Sequence, residues 1–165
     1  MNAAAQARDP GIQWVLFALD AGRYALPLPS VERIVRAAEY TPLPLAPAAV
    51  LGAIDVAGDI LPVFSLRNRF KLPERPLALT DQFIIARTSR RRVVLAVDTA
   101  LGVLEEHLHS AIDGAHVAAG LTHVRGVLSL PDGLVLIQDL EQFLSADETA
   151  ALDSALRDEE RRRAR

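Results

Sequence analysis

The sequence predicts an all-β fold with a C-terminal helix, its strands gathered into two small packed barrels. Three observations carry that expectation. Short apolar runs alternate with tight-turn residues along most of the chain. A segment beginning at Val50 returns at Val124, and its apolar positions stay 74 residues apart without a gap. A helix-capping pattern, Ser145-Ala146-Asp147-Glu148, opens the final stretch.

Residues 1–12, broken by Asp9-Pro10-Gly11, read as a flexible tail. Trp14 to Leu19 is a short run with aromatic and β-branched residues, which favours a buried strand. Asp20 to Arg23 reads as a hairpin turn and Tyr24-Ala25-Leu26 as the return strand. Pro27 and Pro29 offer no ladder N–H, so that strand is expected at an edge or bulge. Val31 to Val35 fits either a continuation of it or a short turn. Pro42, Pro44 and Pro47 make residues 41–47 an extended loop, and Ala48 to Leu51 reads as one helical turn ended by Gly52. Ala53 to Val56 and Ile60 to Phe64 form a hairpin about Ala57-Gly58-Asp59. Leu66 to Phe70 is a short helical or irregular piece, and Pro73 to Pro76 a linker. Gln82 to Ala86 and Arg92 to Val97 pair across a polar turn, and Leu101 to Leu104 is a further apolar piece. Residues 105–123 read as irregular. Val124 to Leu130 and Leu134 to Ile137 pair across Pro131-Asp132-Gly133, where proline presets φ and glycine accepts positive φ. A helix over 146–162 follows, with acids in its first turn and arginines in its last.

The repeat sets the domain organisation. Val50, Gly52, Ile54 and Val56 fall opposite Val124, Gly126, Leu128 and Leu130, and the match runs on through Leu66 and Leu140. The earlier hairpins correspond as well. Each copy has about five short strands, too few to bury a core unless the sheet closes on itself. The expected division is a tail over 1–12, a barrel unit over 13–145 in lobes of roughly 13–80 and 81–145, and a helix with its tail over 146–165.

Composition narrows the function classes. Of 165 residues, half are hydrophobic and 24% charged, which is a globular balance. There is no cysteine, which excludes disulfides, thiolate metal sites and thiol nucleophiles. No signal-peptide h-region and no run near the ~20 apolar residues of a bilayer span is present, so a cytoplasmic protein without direct membrane insertion is expected. The net charge of −3 gives no reason to expect nucleic acid.

Taken in order, several pieces resemble one family. They are Tyr24-Ala25-Leu26-Pro27-Leu28 with Val31, then Pro44, Pro47 and Gly52. Asp55-Val56-Ala57-Gly58-Asp59-Ile60-Leu61-Pro62-Val63 with Leu66-Arg67, Val97-Asp98 and the tail from Ser145 to Leu156 complete the series. Their order and spacing resemble the CheW coupling proteins of bacterial chemosensory pathways, over about residues 13–157. The resemblance implies two interlocked five-stranded SH3-like barrels and a non-catalytic adaptor without cofactors. Its implied partners are a chemoreceptor cytoplasmic signalling domain and the regulatory domain of a CheA-type histidine kinase. The implied partner-binding residues are Val31, Ile34, Val35, Asp55, Ala57 and Gly58. One departure stands out: the family's turn carries an arginine where this chain has Ala57, which lacks the charge and forked donors. Either the partner differs or another basic residue, with Arg125 a candidate, compensates.

The remaining polar groups are weighed against chemistry. His107, His109, His116 and His123 lack the convergent spacing of a metal site, and solvated loop histidines account for them. Adjacent Glu105 and Glu106 on a strand point to opposite faces, so an acid–base pair is not expected. Asp98 and Asp139 have no acidic neighbours to hold magnesium and read as turn or cap residues. Arg90-Arg91-Arg92 and Arg161-Arg162-Arg163 support an alternative reading, a small β-barrel binding nucleic acid or an anionic ligand, against the simpler account of solvated faces. Pro27, Pro29 and Pro62 are either strand protection or a shaped partner edge, and Val31, Ile34 and Val35 either core or interface.

Overall fold

The first hairpin starts two residues ahead of its apolar run. β1 covers Ile12–Leu19 and β2 Gly22–Pro27, joined through Asp20 at φ 50°. The computed structural model describes residues 11–106, the backbone of 111–113, and 124–165. β2 stops at Pro27, and a 3-10 turn over Leu28–Ser30 redirects the chain. The ambiguous stretch after it is a strand, β3 (Val31–Arg36), in a different sheet from β2. The expected helical turn at residues 48–51 is absent, because Val50 already opens β4 (Val50–Val56). Gly52 lies inside that strand, at a register shift where Val50 faces Phe64 and Gly52 faces Val63. A Cβ there would sit 2.3 Å from the Thr41 carbonyl oxygen, so only glycine lets the two backbones cross.

β5 covers Asp59–Ser65. Its turn with β4 has Ala57 at φ 53° and Gly58 at φ 92°, the mirror-image two-residue turn whose twist suits a hairpin. α1 (Leu66–Phe70) is capped by the Ser65 hydroxyl, which accepts from Asn68 N–H. β6 (Gln82–Arg87) and β7 (Arg92–Val97) form the second hairpin. β8 (Thr99–Glu106) is longer than its apolar centre, and β9 (Ala111–Asp113) lies in a span expected to be irregular. β10 (Val124–Leu130) and β11 (Gly133–Gln138) complete the strands, and α2 runs over Ala146–Arg163.

The sheets show how the repeat is used. One has the order β8-β1-β2-β11-β10-β9, the other β3-β6-β7-β5-β4. Six segments stand where five strands were expected, because the chain after β7 supplies both β8 and β9, at opposite edges. Glu106 and Ala111 are five Cα steps apart, roughly 19 Å at most. Six flat strands would be roughly 24 Å wide, so this sheet must curl. The second sheet closes likewise: after β3, Thr41 bridges Ala53 on β4, with both N–H···O distances 2.8 Å.

The repeat is borne out in register. Val50↔Phe64 and Gly52↔Val63 recur as Val124↔Gln138 and Gly126↔Ile137, with the same shift. Yet the first hairpin of each copy joins the other copy's barrel. β2 pairs in parallel with β11, Tyr24 facing Leu136, and β7 with β5, Val94 facing Val63. The barrels are therefore interlocked. The expected lobe boundary near residue 80 marks the repeat along the chain and not a division in space, since each sheet draws on both halves.

Hydrophobic packing follows the exchange. The largest cluster lies between the barrels and includes Phe17, Leu26, Phe64, Leu66, Leu95 and Leu152. Trp14, Leu128 and Ile137 fill one barrel; Val63, Phe83 and Val94 fill the other. Pro62 is buried on β5, an interior strand whose pairing with β7 begins only at Val63, so it shapes no exposed edge. α2 follows β11 of the six-stranded sheet and pairs with Arg69, Arg91 and Asp55, in segments that build or adjoin the five-stranded sheet. The capping box at Ser145 and Glu148 is formed, and Leu152 and Ala155 enter the central cluster.

Candidate functional site

On β3, Val31 leans half-buried on the central cluster and Val35 on the core of the five-stranded barrel. Ile34, between them, points outward and is 37% exposed. A register shift between Val31 and Arg33 breaks the strict alternation, so Val31 and Val35 pack on different cores. Around it Glu32, Arg33 and Arg36 are exposed. Glu32 receives Arg87 at 2.8 Å and both Nε and Nη2 of Arg92. The Arg92 bonds in particular hold its carboxyl below the usual carboxylate range.

The β4–β5 turn is also exposed. Asp55 Oδ1 accepts from Gly58 N–H at 2.8 Å, so the aspartate side chain holds the turn in shape. Its Oδ2 faces Arg163 Nη1 at 3.3 Å, from the last residue of α2. Asp59 pairs with Arg92 at 3.0 Å. Val35, Ile54 and Val56 pack on the same barrel core, which ties β3 and the β4–β5 hairpin to one body. Arg125 lies on β10, in the six-stranded sheet, whereas Ala57 belongs to the five-stranded one. Beside Arg92 at Asp59, the basic group that reaches the turn is Arg163 at Asp55. Sequence reasoning missed it because the two residues lie 108 positions apart.

Two interlocked barrels with a helical strap are the architecture the resemblance calls for, and comparison with known proteins decides the family. A model of the CheW-like domain matches residues 13–148. The chain belongs to the CheW-like domain family. This CheW-like chain is 25% identical over 150 residues to the chemotaxis protein CheW of Treponema pallidum (strain Nichols), spanning 87% of this chain and 88% of that protein. It is 24% identical over 152 residues to the chemotaxis protein CheW of Rhizobium meliloti (strain 1021), spanning 91% and 98%. Among solved structures it resembles the scaffolding protein TtCheW from Thermoanaerobacter tengcongensis, with a TM-score of 0.74 and 25% identity, over 79% of this chain and 90% of that one. The CheW-like chain is thus a chemotaxis adaptor of the scaffold type.

The other polar groups of this CheW-like chain are engaged in structure. Arg67, 8% exposed, is the centre of an ionic cluster that the sequence did not reveal. It grips Asp20 through two nitrogens at 2.9 and 3.0 Å and reaches Asp98 at 2.7 Å. Arg75 continues the chain to Asp98 and Asp81, each at 2.7 Å. Arg67 above all holds the Asp20 carboxyl below its ordinary range, and Arg75 does the same for Asp81. Asp98 is thereby a clamp between hairpin ends, and Asp139 caps a 3-10 turn by accepting from Glu141 N–H.

The two arginine runs are mostly neutralised. Arg91 pairs with Asp153, Arg92 with Glu32 and Asp59, Arg161 with Asp158, and Arg162 and Arg163 with Glu159. That leaves little free positive field for a polyanion. Among the described residues no cluster of three or more His, Cys, Asp or Glu could hold a metal, and no helix is long and apolar enough to cross a membrane. The four histidines lie outside the described residues. Glu105 and Glu106 end β8.

Proposed function

We propose that this protein is a non-catalytic cytoplasmic adaptor that links a chemoreceptor signalling domain to the regulatory domain of a CheA-type histidine kinase. The surface we assign to partner binding comprises Val31, Ile34, Val35, Asp55, Ala57 and Gly58. The observation that carries this assignment is Ile34, a β-branched side chain left exposed on β3 among charged neighbours, on the barrel whose hairpin tip is also open. Val31 and Val35 serve by setting the strand that presents it. Coupling in such a scaffold comes from differential contacts with signalling states and needs no chemistry of its own.

The test is binding of purified receptor signalling domain and kinase regulatory domain by calorimetry. Ile34→Asp is expected to weaken binding to one of the two partners at least tenfold, with an unchanged circular dichroism spectrum. Wild-type affinity in that variant for both partners would remove this surface from the assignment. Failure of the native protein to bind either partner would remove the adaptor reading itself.

A further inference from the structure

The two parts of the β3 and β4–β5 surface are far apart in the strand order. β6 and β7 stand between β3, which carries Ile34, and β5, which opens just after the turn residues Ala57 and Gly58. Closure of the sheet brings the chain back to β4 through Thr41 and Ala53, but Thr41 lies beyond the last residue of β3. Among the described residues the start of β3 and the turn therefore have no direct backbone tie.

Side chains make that tie. Arg92 is the first residue of β7, one of the intervening strands. Its Nε donates to both oxygens of Glu32 on β3, at 3.1 and 3.0 Å, and its Nη2 to Glu32 Oε2 at 2.8 Å. The remaining nitrogen, Nη1, donates to Asp59 Oδ2 at 3.0 Å, at the first residue of β5. All three guanidinium nitrogens are thus used, two on the strand of Ile34 and one on the hairpin. A single exposed ion pair would fix little. Here the Arg92 and Glu32 side chains are only 21% and 26% exposed, and a forked, charge-assisted contact sets orientation as well as distance. Arg87 holds Glu32 from the next strand at 2.8 Å, and Arg163 holds Asp55 on the other side of the turn. Lysine offers one point charge and could serve Glu32 or Asp59, not both in this geometry.

We propose that Arg92 is a positioning residue for partner binding, a clip that fixes β3 and the β4–β5 turn relative to each other. A partner then meets Ile34, Ala57 and Gly58 as one preformed surface and does not have to order two independent segments. The role rests on the assignment of that surface to partner binding.

The experiment uses the full chain carrying Arg92→Lys or Arg92→Gln, with purified receptor signalling domain and kinase regulatory domain as probes in calorimetry. Both variants are expected to weaken binding to the partner that Ile34→Asp affects by about fivefold, the cost of ordering one or two side chains at an interface. Asp59→Asn added to Arg92→Gln should weaken it no further, since both changes cut the same tie. In the free protein, NMR should show the amides of Glu32 to Ile34 and of Ala57 to Asp59 both moving in Arg92→Lys, with those of β10 and β11 unchanged. Glu32→Gln, on an edge strand, is expected to give the same loss and serves if the Arg92 variants fail to fold. Wild-type affinity in Arg92→Lys would show that charge and not the fork matters, and would overturn the clip, as would additive losses in the double variant or amide shifts confined to one segment. If Ile34→Asp weakens binding and Arg92→Lys does not, only the clip falls. If Ile34→Asp leaves both affinities intact, the surface assignment falls and the clip with it.

Discussion

Gln138 occupies the position that Phe64 holds in the other repeat, and the substitution is costly. It is 2% exposed, and neither its amide nitrogen nor its amide oxygen has a hydrogen-bond partner among the described residues. A buried amide without partners costs about 1–3 kcal/mol. Gln138→Leu is expected to raise stability by about 1–2 kcal/mol, read as a higher urea midpoint at unchanged slope; a fall would mean the amide contributes to packing. Asp81 makes the opposite case of a polar group fully satisfied. Hydrogen bonds from Arg75, against the opposing effect of burial, hold its carboxyl below the ordinary value, as those from Arg67 hold Asp20. A carboxylate depressed in the folded state stabilises above its unfolded pKa, and that contribution is lost as pH falls through the folded value. The urea midpoint should therefore be insensitive to these two groups from pH 7 to about 5 and decline below about 4. Asp81→Asn should lower the neutral midpoint and flatten the acid limb; an acid limb as steep as wild type would show that Asp81 does not drive it.

Among the elements, the β4–β5 hairpin shows where local preference and fold disagree. Its two-residue turn demands positive φ at both central positions, and Ala57 complies at φ 53°. An L-residue in the left-handed region costs roughly 1–2 kcal/mol, part of which glycine recovers against its larger unfolded-state entropy. Ala57→Gly is expected to stabilise the protein by about 0.5–1 kcal/mol in chemical denaturation, and a destabilised variant would mean that Ala57 makes a contact outweighing its strain. The turn is held in shape by Asp55, whose second oxygen meets Arg163. α2 thus touches barrel elements at Arg69 near its start, Arg91 at its middle and Asp55 at its end. Its capping box and terminal charges were legible in sequence because helix ends are specified locally. Which barrel it would cross was not, since its narrow apolar stripe fits any exposed core.

For the whole molecule, hairpin exchange makes the halves interdependent. Each barrel needs the leading hairpin of the other repeat, through the parallel pairs β2–β11 and β7–β5. Residues 1–80 alone should lack a folded spectrum, because β1 and β2 would have lost β8 and β11, and β3 would have lost β6. Mixing that fragment with residues 81–165 should restore amide dispersion in a one-to-one complex. Two independently folded fragments would refute the exchanged topology.

The sequence by itself determined the strands of the four hairpins, the duplication, the C-terminal helix and the resemblance to CheW, because these rest on turn chemistry, periodicity and fixed spacing within a few residues or at one constant offset. It misjudged Ala48 to Leu51, where Gly52 reads as a helix stop until Thr41 is seen crossing it. It left Val31 to Val35 undecided, since a strand starting after a proline-rich turn depends on a partner, β6, some 50 residues away. Only the tertiary structure decided which hairpin joins which barrel, how Arg67, Asp20 and Asp98 converge, and that Arg163 meets Asp55 at the β4–β5 turn. Duplication makes the two hairpins near-equivalent in pattern, so choosing between them belongs to long-range pairing energies that no local stretch of residues encodes.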